Sequence, residues 1–235
     1  MKCLVLAGGL GSRMYPTTKR IPKVLLEVAG RPFVHWQLEW LASQSVTEIV
    51  YSIGHLGALI RDEVGDGSRW GVSVRYVDEG NRRLGTGGAV RLAVEQNALD
   101  DASFVLYGDS YLSIDFISVE SDFRERKPEA LMVVYRNNGR WDRSNVVFVD
   151  GMVTLYQKGL IAPLDGMEFI DYGLSIIRAR TIVETIPIET QMDIADLFGP
   201  LSRAGQLAGY EANERFFEIG SPGGLHELGA WLTNG

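Results

Sequence analysis

The stretch LVLAGGLGSRMYPTTKRIPK, residues 4–23, joins an apolar run to a glycine-rich turn and then to a series of cations. Consecutive rather than alternating apolar residues predict a short strand over 2–6 that is buried on both faces. Gly8, Gly9 and Gly11 follow it. A glycine turn after the first strand of a parallel α/β sheet lies at the carboxyl edge, where such folds bind ligands. We expect an oxygen-rich anion there, because glycine lets backbone N–H groups approach a ligand closely.

The spacing after the turn separates three interpretations of the glycines. A dinucleotide fingerprint needs a third glycine at position 14, where the chain has Met14. A P-loop needs Gly-Lys-Ser/Thr, whereas Gly11 is followed by Ser12 and Arg13. A turn that binds nothing is the structural alternative. The site argues for a ligand, since Arg13 and Lys23 would supply charge opposite to an anion.

Hydrophobic periodicity predicts alternating strands and helices in the first half of the chain. Its predicted strands span 2–6, 48–53, 72–77 and 104–107, and its predicted helices span 32–43, 55–64 and 86–97. The second half is less regular, with predicted strands at 131–136, 146–149, 152–156 and 174–178 and helices at 193–203 and 222–231. This order predicts an α/β fold in which residues 1–235 form a single domain around a mixed sheet.

The composition excludes several classes of protein. Hydrophobic residues make up 46% and charged residues 23% of the chain, which is ordinary for a globular protein. The net charge of −7 argues against nucleic acid as the main partner. No apolar run approaches the roughly 20 residues of a membrane span, and the N-terminus has no signal-peptide pattern. A single cysteine, Cys3, cannot form an internal disulfide, so we expect a cytoplasmic setting.

The opening stretch resembles the signature of the sugar-1-phosphate nucleotidylyltransferases, Gly-x-Gly-Ser/Thr-Arg followed by Pro-x-Thr and Pro-Lys. The matching residues are Gly9, Gly11, Ser12, Arg13, Pro16, Thr18, Pro22 and Lys23. The resemblance implies a Rossmann-like (GT-A-like) nucleotidyltransferase fold, a three-layer sandwich with a mixed, mostly parallel central sheet. It implies that Arg13 contacts the leaving pyrophosphate and that Lys23 bridges the phosphates. It also implies a turn around the nucleotide triphosphate, formed by Leu6, Ala7, Gly8, Gly9, Gly11 and Ser12.

A second glycine-rich segment, LGTGGA at 84–89, is by itself a flexible loop leading into a helix. It resembles the loop that the family places against the nucleobase, which implies nucleotide contacts from Gly85, Thr86 and Gly87. Gly-Thr-Gly at this position is similar to the mannose or heptose 1-phosphate guanylyltransferase branch. GTP is therefore the favoured nucleotide.

Two acidic residues are candidates for holding Mg²⁺, which prefers one or two carboxylates plus phosphate oxygens. Asp109 follows a predicted strand in GDS, and the family resemblance implies that it binds the catalytic metal. Its structural alternative is a helix N-cap. Glu218, in FFEIGSP, stands where the family usually has Asp as the second ligand. A plain acidic residue before a helix start is the alternative there.

The sugar-binding candidates lie in the second half of the chain, apart from Gly108. Lys158 in YQKG matches the family lysine that holds the sugar phosphate, although Gln157 replaces the usual Glu. Asp171 and Gly173, in IDYGLSI, stand where the family commonly has Asn-Ala-Gly. Asp171 would accept hydrogen bonds from sugar hydroxyls or merely cap a turn. The segment 139–145, which contains Asn145, suits either a sugar-facing loop or a plain hairpin turn.

The resemblance implies the reaction of an NTP with a sugar 1-phosphate to give an NDP-sugar and pyrophosphate, with Mg²⁺ as cofactor. The expected catalytic residues are Arg13, Lys23, Asp109 and Lys158. The expected partners are GTP and a heptose or mannose 1-phosphate, with no nucleic acid and no membrane, and a homo-oligomer is left open. Alternatives are another base, another phosphorylated substrate such as a glucose-type or phosphocholine-like one, or a catalytically silent sugar-nucleotide-binding regulator.

Overall fold

A mixed sheet of nine strands organises the protein in the computed structural model, which describes residues 1–234. The strand order is β5-β4-β1-β6-β11-β8-β12-β10-β9. These strands are β1 (Cys3–Leu6), β4 (Glu48–Ile53), β5 (Ser73–Asp78), β6 (Ala102–Tyr107), β8 (Ala130–Arg136), β9 (Val146–Val149), β10 (Met152–Tyr156), β11 (Phe169–Arg178) and β12 (Leu207–Ala212). Two small ribbons accompany the sheet, β2 (Glu27–Val28) with β3 (Arg31–Pro32) and β7 (Ser110–Leu112) with β13 (Phe216–Glu218).

The parallel half of the sheet places several loops at one edge. Strand β1 pairs in parallel with both β4 and β6, and β4 pairs in parallel with β5. The carboxyl ends of these four strands therefore point the same way, and the loops after them face one another. Strand β11 runs antiparallel to both β6 and β8, which joins the irregular second half to this frame.

Helices cover both faces of the sheet, as the predicted three-layer sandwich requires. They are α1 (Phe33–Ser43), α2 (Gly57–Val64), α3 (Gly85–Glu95), α4 (Phe116–Arg126), α5 (Ala179–Thr185), α6 (Ala195–Arg203) and α7 (Pro222–Asn234). One core contains Cys3 and Val5 of β1 with residues of α1, α2, α4 and α7, and the other contains Leu4 with residues of α3, α5 and α6. Adjacent residues of β1 thus enter opposite cores, which explains its continuous apolar run.

The structure refines the predicted elements at several boundaries. Helix α2 begins at Gly57 rather than at position 55, because the preceding Leu56 has a left-handed backbone conformation. Strand β11 begins at Phe169, five residues before the predicted start. Helices α4 and α5 have no counterpart in the sequence prediction. Helix α4 buries only three side chains, so its apolar pattern is weak, although Asp115 caps it by accepting from the N–H groups of Ile117 and Ser118.

Within residues 1–234, no helix combines the length and the apolar character needed to cross a membrane.

Candidate active site

The glycine turn after β1 opens onto a cavity of about 660 Å³. Close packing explains one of its glycines, because a Cβ on Gly8 would lie 2.6 Å from Oε1 of Glu79. Gly11 has a φ of 61°, and its carbonyl accepts a hydrogen bond from Thr18 Oγ1 at 2.8 Å. Of the predicted nucleotide-binding residues, those that line this cavity are Leu6, Ala7, Gly8, Gly9, Gly85 and Thr86.

Three other residues predicted to bind the nucleotide are not among the lining residues of this cavity. Gly11 and Ser12 belong to the short helical turn that follows the glycines, and Ser12 is exposed. Gly87 is buried, and its N–H donates to the carbonyl of Met192 at 2.8 Å. Gly108, predicted on the sugar side, lines this first cavity instead. A Cβ at Gly108 would overlap the Leu6 carbonyl, so glycine allows the end of β6 to lie against β1.

An ion pair lies in the lining of the first cavity. Lys23 Nζ donates to Asp109 Oδ2 at 2.8 Å, and both residues line the cavity. Both side chains are largely buried, with exposed fractions of 18% and 23%. Asp109 lies in the turn between β6 and β7, so it is held by the parallel sheet on one side and by the small ribbon on the other. The ion pair shows that two residues 86 positions apart in sequence converge.

The small ribbon brings the second acidic residue to the same place. Glu218 pairs with Ser110, directly after Asp109, in the register of β13 and β7. Arg13 NH2 lies 3.9 Å from Glu218 Oε2. A Cβ on Gly220 would overlap Glu218 Oε2 and would lie 3.1 Å from Asp109 Oδ2, so both carboxylates face the same glycine. Arg13, Asp109 and Glu218 therefore form one cluster.

A second cavity, of about 520 Å³, adjoins the first and shares Thr86, Tyr107 and Asp109 with it. The predicted residues that line it are Arg13, Asp109, Asn145, Lys158, Asp171, Gly173 and Glu218. Lys158 Nζ donates to Asp193 Oδ2 at 2.7 Å. Burial alone would raise the pKa of Asp193, but hydrogen bonds from the Ala195 N–H and from Lys158 outweigh it and hold the pKa below its usual value.

Asp171 is the centre of a buried polar group in the second cavity. Its Oδ2 accepts from the hydroxyls of Tyr107 at 3.3 Å and Tyr156 at 3.4 Å, and its Oδ1 accepts from the Gly173 N–H. The side-chain oxygen of Asn145 accepts from the Asp171 N–H. Burial raises the pKa of Asp171 and also the pKa of both tyrosines. The carboxyl thus caps the local turn, which was one alternative from sequence, and it also faces the cavity.

Glu79 is a site residue that the sequence analysis missed. It lines the first cavity with only 8% of its surface exposed, and its Oε2 accepts from the Leu84 N–H at 2.9 Å. Burial raises its pKa, partly offset by that N–H. A Cβ on Gly54 would also lie 2.6 Å from Oε1 of Glu79. Its position just after β5 in a parallel sheet was the signal that could have found it.

Asp193 and the two tyrosines were missed for a different reason. Asp193 precedes α6, where an acidic residue is commonly only a cap, and its side chain does accept from the Ala195 N–H at 3.0 Å. Tyr107 and Tyr156 end apolar strands, where the sequence does not distinguish a core residue from a cavity residue. Only the folded chain shows that Asp193 also contacts Lys158 and Thr86.

The chain is similar to several known proteins. The family model described as nucleotidyl transferase matches residues 2–141. The N-acetylmuramate alpha-1-phosphate uridylyltransferase of Neisseria meningitidis serogroup B is 42% identical over 117 residues, covering 49% of this chain and 50% of that protein. The mannose-1-phosphate guanyltransferase of Emericella nidulans is 26% identical over 229 residues, covering 94% of this chain and 61% of that protein. The chain thus spans about half to three-fifths of the length of these relatives.

Among solved structures, HddC from Yersinia pseudotuberculosis complexed with GMP-PN superposes with a TM-score of 0.82. It is 24% identical to this chain, and the match covers 98% of this chain and 99% of that one. At this level of identity the likeness shows a common fold, which is the Rossmann-like α/β sandwich described above.

Proposed function

Because the chain belongs to the nucleotidyl transferase family, we propose that it transfers a nucleotidyl group from an NTP to a sugar 1-phosphate, releasing pyrophosphate. One observation carries this proposal: two adjoining cavities meet at Asp109, and each is lined by a cation that suits a phosphate. Lys23 lines the first cavity, and Arg13 and Lys158 line the second. Two phosphorylated substrates in these cavities would bring their phosphates together near Asp109.

The reaction must bring two anions together, and the cations of the site would offset the repulsion between them. A phosphate monoester is already largely dianionic at neutral pH, because its second pKa is about 6, so the attack needs no general base. Lys23 would neutralise the nucleotide phosphates, and Lys158 would orient the attacking phosphate. Arg13 lies beside Asp109, where the two cavities meet, and from there it would stabilise the charge on the departing pyrophosphate. These residues are far apart in sequence, but Arg13 and Lys23 follow β1 and Lys158 follows β10, and all three line the two adjoining cavities.

The two carboxylates fit Mg²⁺. Asp109 lines both cavities, Glu218 lines the second, and both carboxylates face one glycine. Mg²⁺ prefers one or two carboxylates completed by phosphate oxygens and water. The bound ion would act as a Lewis acid on the phosphoryl oxygens. Glu218, with its longer side chain, would take the place of the usual Asp.

Glu79 favours GTP among the nucleotides. Its carboxylate lines the first cavity, and no hydrogen bond from residues 1–234 is found to one of its oxygens, Oε1. Guanine presents two adjacent donors, N1–H and the N2 amino group, which a carboxylate accepts as a pair. Uracil and thymine present a single N–H between two carbonyl acceptors, which a carboxylate would repel. The relatives differ in base, since one is named a uridylyltransferase and the other a guanyltransferase.

For the sugar, we propose a heptose or mannose 1-phosphate. Asp171, Asn145 and Gly173 line the second cavity together with Lys158. The carboxyl of Asp171 and the tyrosine hydroxyls around it offer acceptors and donors for sugar hydroxyl groups.

A substrate matrix tests the proposal. Four NTPs are incubated with a panel of sugar 1-phosphates and Mg²⁺, and pyrophosphate release is measured. We expect release with GTP and a mannose- or heptose-type substrate. Binding without turnover across the whole matrix would refute the enzymatic proposal and would favour a silent sugar-nucleotide-binding protein.

The variant Glu79→Gln tests the assignment of the base. The amide side chain of glutamine would place a hydrogen-bond donor opposite one of the two donors of guanine. We therefore expect the preference for GTP over UTP, measured as kcat/KM, to fall about 10-fold or more. Glu125→Gln, on an exposed residue of α4, is the matched control. An unchanged preference in Glu79→Gln would remove the argument for guanine and leave the reaction class intact.

A further inference from the structure

The segment 190–194 lies between the nucleobase loop at 84–88 and the lysine of the second cavity. Its backbone clamps the loop, since the Met192 N–H donates to the Leu84 carbonyl at 2.9 Å and the Gly87 N–H donates to the Met192 carbonyl at 2.8 Å. A Cβ on Gly88 would overlap the Thr190 carbonyl, so the two segments are in close backbone contact. A displacement of the loop must therefore displace this segment.

A chain of side-chain hydrogen bonds continues from the loop to Lys158. Thr86 Oγ1 donates to Asp193 Oδ1 at 3.1 Å and accepts from the Ile194 N–H at 2.8 Å. The other carboxylate oxygen of Asp193, Oδ2, accepts from Lys158 Nζ at 2.7 Å. The Asp193 carboxylate thus joins Thr86 and Lys158, which precede it by 107 and 35 positions in sequence.

The three residues joined by these hydrogen bonds lie at different positions relative to the two cavities. Thr86 lines both cavities, and Lys158 lines only the second. Asp193 is among the lining residues of neither, so it acts through its neighbours rather than by touching a substrate. Lys158 has three N–H donors, of which Asp193 takes one, so two are left for a phosphate.

We propose that Asp193 is a positioning residue that couples the two substrates, because it links Thr86 at the start of α3, which lines the first cavity, to Lys158 in the second. This inference rests on the proposed function and adds to it a linkage between the sites. By thermodynamic reciprocity, a nucleotide that tightens the binding of the sugar phosphate is itself bound more tightly when the sugar phosphate is present. Couplings of this kind are commonly about 5-fold or more.

The coupling is tested by NMR on protein that carries [ε-¹³C]lysine. The chain has five lysines, which are Lys2, Lys19, Lys23, Lys127 and Lys158. The resonance of Lys158 is assigned as the one that disappears in the variant Lys158→Arg. The probe is α,β-methylene GTP, which cannot be turned over, with α,β-methylene UTP in a parallel titration. The Lys23 resonance reports binding in the first cavity, and the exposed Lys127 serves as the reference.

We expect the nucleotide to shift the Lys158 resonance in the wild-type protein, although Lys158 does not line the first cavity. Thr86→Val removes the hydroxyl, and Asp193→Asn removes the charge that holds Lys158. Both should reduce the shift at least 2-fold while the shift of Lys23 persists. Thr86→Ser keeps the hydroxyl and should restore the wild-type response, which a purely steric role for Thr86 would not predict.

The outcomes separate this inference from the function on which it rests. A Lys158 resonance that stays fixed in the wild-type protein while Lys23 shifts would overturn the coupling and leave the proposed function standing. A wild-type response in both Thr86→Val and Asp193→Asn would also overturn it. If neither analogue shifts Lys23, the proposed nucleotide site is refuted, and the coupling with it.

Discussion

Replacing Gly220 with alanine would place a methyl group among Arg13, Asp109 and Glu218. The added Cβ would overlap Glu218 Oε2, and it would lie 2.8 Å from Arg13 NH2 and 3.1 Å from Asp109 Oδ2. Real Cβ atoms essentially never approach other atoms within 3.0 Å, so the end of the Glu218 side chain must move. Gly220 is not among the glycines with positive φ, so the backbone itself accepts alanine. The change therefore acts on the cluster rather than on the chain path.

The size of the effect follows from this displacement. Glu218 Oε2 must retreat by about 1 Å, and a misplacement of that size at a reacting centre costs about 10²-fold in rate. This corresponds to about 2.7 kcal/mol of transition-state stabilisation, since each 1.36 kcal/mol is tenfold. The displaced carboxylate is the end of a flexible side chain, so we expect the free energy of unfolding to change by less than about 1 kcal/mol.

The assay is pyrophosphate release as a function of Mg²⁺ concentration, together with urea unfolding of the same variant. We expect kcat to fall about 10²-fold and half-maximal activity to require more Mg²⁺. Gly229→Ala, in α7 and outside the lining of both cavities, is the matched control, because a Cβ there would approach its nearest neighbours only to 3.8 Å. It should keep wild-type activity.

Activity of Gly220→Ala within 3-fold of wild type, with an unchanged Mg²⁺ requirement, would refute the convergence of the two carboxylates on a shared ion. Loss of folding would instead show that the glycine serves the packing of α7.

Three further predictions concern the residues around the two cavities. Asp109→Asn should lower turnover by orders of magnitude with little change in the free energy of unfolding, and the exposed Asp101→Asn is its control. A variant that fails to fold would indicate that Asp109 has a structural role instead. Lys158→Ala should mainly raise the KM for the sugar phosphate, because it removes binding shared by ground and transition states, and an unchanged KM would contradict this role. Burial raises the pKa of Asp171 above its usual 3.8, so ionisation of this carboxyl destabilises the folded state. This destabilisation is absent below pH 3.8, where the carboxyl is protonated in both states, and it grows as the pH rises from 3.8 to the folded-state pKa. In urea titrations, the free energy of unfolding of wild type relative to Asp171→Asn should therefore fall as the pH rises above 3.8, and a difference independent of pH would contradict this.

Several strands were predictable because their own residues determine them. The strand at 48–53 and those at 146–149 and 152–156 have the predicted bounds, since each is a short apolar run between turn residues. Helix α4 was missed because most of its residues are polar and only Phe116, Val119 and Phe123 are buried. Its capping residue, Asp115, is a weak signal without an apolar stripe to follow it.

The candidate site divides in the same way. The sequence predicted Arg13, Lys23 and Asp109 from glycine-rich motifs and their resemblance to a family signature, and the structure places all three in the lining of the cavities. Glu79 and Asp193 were not, because a lone acidic residue is usually a solvated charge or a cap. Burial beside a cavity distinguishes Glu79, and contact with a distant lysine distinguishes Asp193.

The sequence by itself determined the alternation of strands and helices in the first half of the chain and the family, because these depend on local patterns of glycine, charge and apolar residues. The tertiary structure decided which charges meet. Parallel pairing of β1 and β6 places Lys23 and Asp109 at the same edge, and the β7–β13 ribbon adds Glu218. Such pairings depend on sheet order and strand register, which no local pattern encodes, since they arise only when distant segments bury a common core.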